Sequence, residues 1–199
     1  MSVNDPMTPA SKRPAGPRPL LAVFDLDGTL LDSDEALCAA YVALGVPRES
    51  VTYGHVVADE CARLGLSLDD YIAAYDPAAA VPFPGVESML AGLTRWAVCS
   101  NKDRRSGTAE LARLGWQPAA ALFAQDFGGG PKRLGPVLDA LGLGGEDVLF
   151  VGDSPHDAVC AADAGARFAV AAWNPRTRAL GLNGDVVLRS PSDLPAALG

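Results

Sequence analysis

Leu21-Ala22-Val23-Phe24-Asp25-Leu26-Asp27-Gly28-Thr29-Leu30-Leu31 is a short apolar run that passes straight into two carboxylates and a turn. The residues from Leu20 to Phe24 have the length and composition of a strand covered on both faces. Asp25 and Asp27 alternate with Leu26, so an extended backbone points both carboxylates the same way. Gly28 permits a tight bend, and Thr29 offers a hydroxyl just beyond it. Asp-Gly is also ordinary turn chemistry, but a turn needs one such acid rather than two on one face. Two acids gathered at a strand end are costly to desolvate unless a cation or a shared proton relieves them. The stretch therefore predicts a site as well as a strand.

Outward from this strand, apolar runs alternate with helical patterns. Short strands are predicted at Trp96–Cys99, Val148–Val151 and Phe168–Ala172, with weaker ones at 119–124 and Val186–Leu188. Helices are predicted between them, at 86–93, 103–114, 136–141 and 155–164. This alternation argues for βαβ units, a mainly parallel sheet and helices on both faces, an α/β three-layer architecture. Residues 33–82 differ. They carry helical rhythm over 34–44, from about Gly54 to Leu64, and from Leu68 to Tyr75, where Ser67 and Asp70 have the spacing of a capping box. No strand pattern occurs among them. The expected organisation is a flexible Pro-rich tail over 1–18, a discontinuous core made of 19–32 and 83–199, and a small all-helical insertion over 33–82 that follows the first strand.

At 199 residues the chain can bury a substantial core, and 49% hydrophobic with 20% charged residues fits an ordered globule. The net charge of −8 argues against a general nucleic-acid binder, which needs a basic face. Cys38, Cys61, Cys99 and Cys160 are widely spaced and form no C-x-x-C pair, so no zinc site is expected. They read as small buried hydrophobes, reduced in a cytoplasmic protein. The tail has no apolar segment of a signal peptide, and no apolar run approaches the roughly 18 residues that span a membrane.

In open α/β sheets ligands bind beyond the carboxyl ends of the strands. Three predicted strands end there in polar residues: Asp25 and Asp27, Ser100 with Asn101, and Asp153 with Asp157. Lys132 lies in the loop between the second and third, with Arg133 beside it. Each group has a plainer alternative. Ser100 can cap the helix that follows, which is compatible with binding a phosphate at that helix's N-terminus. Asp157 completes a capping box with Ser154, ahead of Pro155 at the first helical position. Asp153 precedes the cap and is not needed for it. His55 and His156 are isolated and read as structural or surface residues.

Taken together, Asp25-Leu26-Asp27-Gly28-Thr29, Ser100-Asn101-Lys102, Lys132 and Gly152-Asp153-Ser154-Pro155-His156-Asp157 resemble the motifs of the haloacid dehalogenase-like hydrolase superfamily, in its phosphoglycolate phosphatase-like branch. The resemblance runs from Leu20 to Trp173. It implies a Rossmann-like core, a helical cap over 33–82 and a Mg²⁺-dependent phosphatase acting on a small phosphorylated metabolite. It further implies Asp25 as nucleophile, giving an aspartyl-phosphate, with Asp27 as acid and base. Mg²⁺ would be held by Asp25, the Asp27 carbonyl, Asp153 and Asp157. Ser100, Lys132 and the backbone N–H groups of Leu26 and Asn101 would hold phosphoryl oxygens. Two departures stand out. Lys132 is followed by Arg133-Leu134-Gly135-Pro136 rather than Pro-x-Pro, which leaves Lys132 or Arg133 for the lysine role, and the insertion is smaller than is usual in that branch.

The chemistry narrows the branches. A halide leaving group needs no proton and hence no Asp27, and a Schiff-base phosphonatase needs a lysine that 33–82 lacks. A sugar-phosphate mutase uses the same residues and is the alternative reading, followed by a non-catalytic binding module. Arg48 and Arg63, the insertion's basic residues, are open to either substrate contact or solvent. Substrate identity and oligomeric state are not legible.

Overall fold

The computed structural model describes residues 20–199, so the tail expected over 1–18 lies outside the described residues. β1 (Leu21–Phe24) forms where its apolar run predicts. The chain turns back at Gly28, whose φ of +75° suits a residue without a side chain, and enters the short β2 (Leu31–Asp32). Only helices follow until β3 (Val81–Pro82): α1 (Asp34–Ala43), α2 (Val57–Arg63) and α3 (Leu68–Ala74). β2 and β3 pair antiparallel, so entry to and exit from the helical segment lie side by side. Alternating elements complete the chain: α4 (Val86–Ala91), β4 (Trp96–Cys99), α5 (Arg104–Leu114), β5 (Ala120–Leu122), α6 (Gly135–Leu141), β6 (Val148–Gly152), α7 (Pro155–Asp163), β7 (Arg167–Ala171), α8 (Pro175–Leu180), β8 (Val186–Leu188) and α9 (Leu194–Leu198).

The main sheet is six-stranded, in the order β5-β4-β1-β6-β7-β8, and every pairing in it is parallel. β1 is therefore central, with Phe24 opposite Val98 on one side and Val151 on the other. Its residues alternate between two cores. Ala22 and Phe24 join Trp96, Val98, Leu149 and Val151 on one face, in a cluster that continues into Tyr41 and Tyr71 of the helical segment. Val23 joins Ala97, Phe150 and Val170 on the other, packed on Val137 and Leu138 of α6 and Ala161 of α7. A strand buried on both faces is apolar at every position, which explains the continuous run. All four cysteines are free and buried, and no helix among the described residues is long and apolar enough to cross a membrane.

Local chemistry sets several helix starts. Ser67 caps α3 through the N–H groups of Asp69 and Asp70, and Ser154 and Asp157 form the expected capping box on α7. Two expectations shift. The second helix begins at Val57 rather than near Gly54, because Gly54 sits at φ +85° and Val56 is extended. Asp103, not Ser100, caps α5, and its carboxylate accepts from the Arg105 N–H at 2.9 Å. α8, capped by Asn174 with Pro175 behind it, was not foreseen.

Candidate active site

The carboxyl ends of β1, β4, β6 and β7 meet along one sheet edge, beneath the helical segment. Asp25 follows β1 directly and its N–H still bonds to Val151 of β6 at 2.9 Å, so the carboxylate starts from the rigid centre of the sheet. Asp25 Oδ1 accepts from the Leu26 N–H at 2.6 Å, and Oδ2 lies 2.6 Å from Lys132 Nζ. The N–H of Leu26 thus already holds the nucleophile candidate itself. The Leu26 carbonyl accepts from Leu30 and Leu31, each at 2.9 Å, closing the turn that carries Asp27 outward.

Lys132 reaches this edge from the loop before α6. It is buried, and its ammonium also lies 2.5 Å from Asp157 Oδ1. Arg133 is exposed, so the geometry assigns the buried cation to Lys132. Asn101 holds the loop in place: its Oδ1 accepts from the Lys132 N–H at 2.7 Å, while its Nδ2 donates to the Gly54 carbonyl of the helical segment at 3.2 Å. Ser100 is buried at the end of β4, with Oγ accepting from the Lys102 N–H at 3.3 Å.

Asp153 and Asp157 come from the end of β6 and the first turn of α7. Asp157 is fully buried, and its Oδ2 accepts from the N–H groups of Asp153 and Ser154 at 3.0 and 2.9 Å and from Ser154 Oγ at 2.7 Å. The capping role and the site role therefore fall to different oxygens of one carboxylate. Gly152 makes room for it, since a Cβ there would lie 2.4 Å from the Asp157 side chain. Asp153 is also buried, and Thr29 Oγ1 lies 3.4 Å from its Oδ1.

Three of these carboxylates, Asp25, Asp153 and Asp157, offer oxygens within 4.8 Å of one another. Burial and mutual repulsion show in the acidity of Asp25 and Asp153. Burial pushes the Asp25 carboxyl up against the pull of Lys132 and, more weakly, Ser100, and with Asp157 adding to the rise it comes to about 6. Burial likewise holds Asp153 well above the usual carboxylate range, reinforced by Asp157 and Asp25 and opposed by Arg176 and Lys132. Burial alone would discharge Lys132, but Asp157 and Asp25 hold its ammonium well above the usual lysine range. An all-oxygen cluster with this much unrelieved negative charge suits a hard divalent cation such as Mg²⁺.

Two further cations lie here that the sequence reading left without roles. Arg176 of α8 places Nη2 2.7 Å from Asp153 Oδ2 and Nε 2.8 Å from Asp34 Oδ2, the first residue of α1. It thus ties the helical segment to the acidic cluster. β7 is a fourth strand ending on this edge, and Asn174-Pro175 just beyond it was a readable helix start. Lys102 is buried, with Nζ 2.7 Å from Asp27 Oδ1 and 2.9 Å from Glu110 Oε1. It stood in plain sight within Ser100-Asn101-Lys102. By contrast Arg48 pairs with exposed Glu35 at 2.6 Å, and Arg63 with buried Glu60 at 2.6 Å, so each basic residue of the segment already has an acidic partner.

A cleft of about 50 Å³ lies between this edge and the helical segment, lined by Asp25, Asp27, Ser100, Lys102, Asp153 and Arg176 below and by Tyr41, Tyr53 and Glu60 above. Since a single water needs some 10–15 Å³ on this measure, the cleft has room for a few waters.

A family model described as haloacid dehalogenase-like hydrolase matches residues 20–165. The chain is similar to a phosphoglycolate phosphatase of Xanthomonas campestris pv. campestris (strain 8004), at 29% identity over 90% of this chain and 97% of that protein. It is also similar to a phosphoglycolate phosphatase of Rhodospirillum rubrum, at 33% identity over 74% of this chain and 77% of that one. The crystal structure of a hydrolase from Pseudomonas syringae shares the fold, with a TM-score of 0.72 and 19% identity over 90% of this chain and 97% of that one. The chain therefore belongs to the haloacid dehalogenase-like hydrolase family, in the branch that contains its phosphatases.

Proposed function

We propose that the protein is a Mg²⁺-dependent phosphatase that hydrolyses a small phosphate monoester through an aspartyl-phosphate on Asp25. The observation that carries this reading is the pairing of Asp25 with a buried lysine at 2.6 Å, beside a cluster of carboxylate oxygens that leaves negative charge to be met. Asp25, Asp153 and Asp157, with the Asp27 carbonyl, would hold Mg²⁺, which when bound shields the charge on the phosphoryl oxygens.

The residues divide the work as follows. An Asp25 oxygen attacks phosphorus, forming the acyl phosphate bond as the ester P–O bond breaks. Asp27, at the mouth of the cleft, gives its proton to the leaving oxygen. Water then attacks the phosphorus and passes its proton to the Asp27 carboxylate, while the P–O bond to Asp25 breaks and frees that carboxylate. Lys132 steadies the ionised Asp25 before attack and the phosphoryl oxygens during it, with Ser100 as a neutral donor. Asn101 acts through its side chain, as the clamp that positions Lys132.

The helical segment over 33–82 serves as a cap. The cleft beneath it has space for only a few waters, so lifting of the cap would ease the entry of substrate and closing would shield the chemistry from water. Its antiparallel β2–β3 base supplies the hinge, and the ties from Arg176 to Asp34 and from Asn101 to Gly54 are what must break. Phosphoglycolate, named for the relatives, is the first substrate to try. The four buried thiols suit a reducing, cytoplasmic setting.

Phosphate release from a panel of phosphorylated metabolites with Mg²⁺ tests the reading, with Asp25→Asn as control. Asp25→Asn is expected to remove turnover while keeping the circular dichroism of the wild type. Undiminished hydrolysis in that variant would end the proposal, and isomerisation of a hexose phosphate without free phosphate would favour a mutase.

A further inference from the structure

Lys102, Glu110 and Tyr75 form a buried charged cluster that the phosphoryl transfer described above does not use. Lys102 follows β4 and is 2% exposed; Glu110, in the middle of α5, is fully buried. Tyr75, just beyond α3 in the helical segment, is 5% exposed. The Lys102 ammonium has three N–H groups and three partners: Asp27 Oδ1 at 2.7 Å, Glu110 Oε1 at 2.9 Å and the Tyr75 hydroxyl at 2.9 Å. The Tyr75 hydroxyl in turn donates to Glu110 Oε1, and Glu110 Oε2 is left with no hydrogen-bond partner.

Such a cluster is a poor way to stabilise a fold, because apolar side chains of similar size usually do as well or better. Its geometry suits another purpose. Glu110 and Tyr75 fix the ammonium from behind, and the partner it presents toward the cleft is Asp27, whose side chain is 20% exposed. Resting on the reading of Asp27 as the proton carrier, we propose that Lys102 is the positioning residue for Asp27. Its bond to Oδ1 fixes the orientation of the carboxyl and so leaves Oδ2 for the transferred proton. Glu110 and Tyr75 hold Lys102 in register. Because Tyr75 belongs to the helical segment, the Asp27 carboxyl is fully oriented only when that segment is closed over the site. Proton transfer is thereby tied to closure.

The leaving group supplies the test. p-Nitrophenolate departs without a proton, whereas an alkoxide needs one. kcat/KM reports steps up to the transfer onto Asp25, so the later role of Asp27 toward water does not enter it. The variant Lys102→Met/Glu110→Gln removes the positioning charge without leaving Glu110 as an unpaired acid. We expect its kcat/KM to fall about 100-fold on an alkyl phosphate and less than about threefold on p-nitrophenyl phosphate, within the range of a lost general acid. Asp27→Asn should show the same selectivity. Equal losses on both esters in a folded Lys102→Met/Glu110→Gln protein, with Asp27→Asn still selective, overturn the role of Lys102 alone. A non-selective Asp27→Asn overturns the acid/base reading and this inference with it. Tyr75→Phe deletes one hydroxyl and carries the test if the double variant does not fold. It should lose several-fold on the alkyl ester and leave p-nitrophenyl phosphate unchanged, and equal losses in it also overturn the proposal.

Discussion

Replacing Lys132 with methionine separates what this lysine does for stability from what it does for chemistry. Its ammonium lies 2.6 Å from Asp25 and 2.5 Å from Asp157 and has almost no solvent contact. Removing one partner of a buried pair costs about 3–5 kcal/mol. The lower end applies here, because Asp157 keeps three donors on Oδ2 and Asp25 can take up a proton. With an m-value of about 2 kcal/mol/M for a chain of this size, a loss of about 3 kcal/mol lowers the urea midpoint by about 1.5 M. The chemical effect has a definite sign. Lys132 lowers the Asp25 carboxyl against the burial that pushes it up, and it comes to about 6. Without the ammonium the carboxyl titrates higher, less of the proposed nucleophile is ionised at a given pH, and the acid limb of kcat/KM moves to higher pH. The plateau should also fall about 100- to 1000-fold, as when one preorganised donor to the transition state is lost. Urea titration followed by fluorescence, and kcat/KM from pH 5 to 9, measure both. An unchanged urea midpoint, or an unmoved acid limb with a plateau within about threefold of wild type, would refute the role given to Lys132.

Other perturbations test separate parts of the structure. Chelation by EDTA should abolish phosphate release and added Mg²⁺ restore it. Mg²⁺ at about 100 times its Kd should also stabilise the fold by about 2.7 kcal/mol, read as a rise in Tm; a Tm indifferent to Mg²⁺ would count against the acidic cluster as its site. Glu110 is pushed up to about 7, chiefly by burial with Asp27 adding to it and Lys102 opposing. Its folded form holds a proton that the unfolded chain has released above about pH 4.5, so this group makes stability fall as pH rises from about 4.5 to about 7. Glu110→Gln should remove a penalty on the order of 2–3 kcal/mol at pH 7.5 and little at pH 5. Parallel stability curves for the two proteins would dismiss it. Gly107→Ala should destabilise, against the usual gain of alanine in a helix, because the new Cβ would lie 2.3 Å from the ring of buried Phe123. We expect a net loss of about 1–2 kcal/mol by thermal denaturation, and a higher Tm would show that the Phe123 ring yields freely.

Much of this arrangement is a local property of the chain. A strand buried on both faces must be apolar throughout, so Leu21–Phe24, Trp96–Cys99 and Val148–Val151 announce themselves, and their alternation with helices forces a parallel sheet. Because such strands end together, Asp25, Ser100 and Asp153 were bound to share an edge. Ser67 and the Ser154–Asp157 box are legible for the same reason, since a cap joins residues two or three apart. Gly54 shows where local reading slips: its φ is +85° and its carbonyl accepts from Asn101, so the helix starts later than its rhythm suggests.

What tertiary structure alone decided is which charges meet. Lys132 and Arg133 are neighbours of equal charge, and the docking of their loop, held by Asn101, buries one and exposes the other. Lys102 reaches Asp27 across 75 positions, and Arg176 reaches Asp34 across 142. No periodicity encodes such pairs, because they depend on how separate elements pack and not on the rhythm within any one of them. The two aspartates after β1 were visible as a pair from the sequence. Packing gave each its own lysine, Lys132 for Asp25 and Lys102 for Asp27, and so set them in different surroundings.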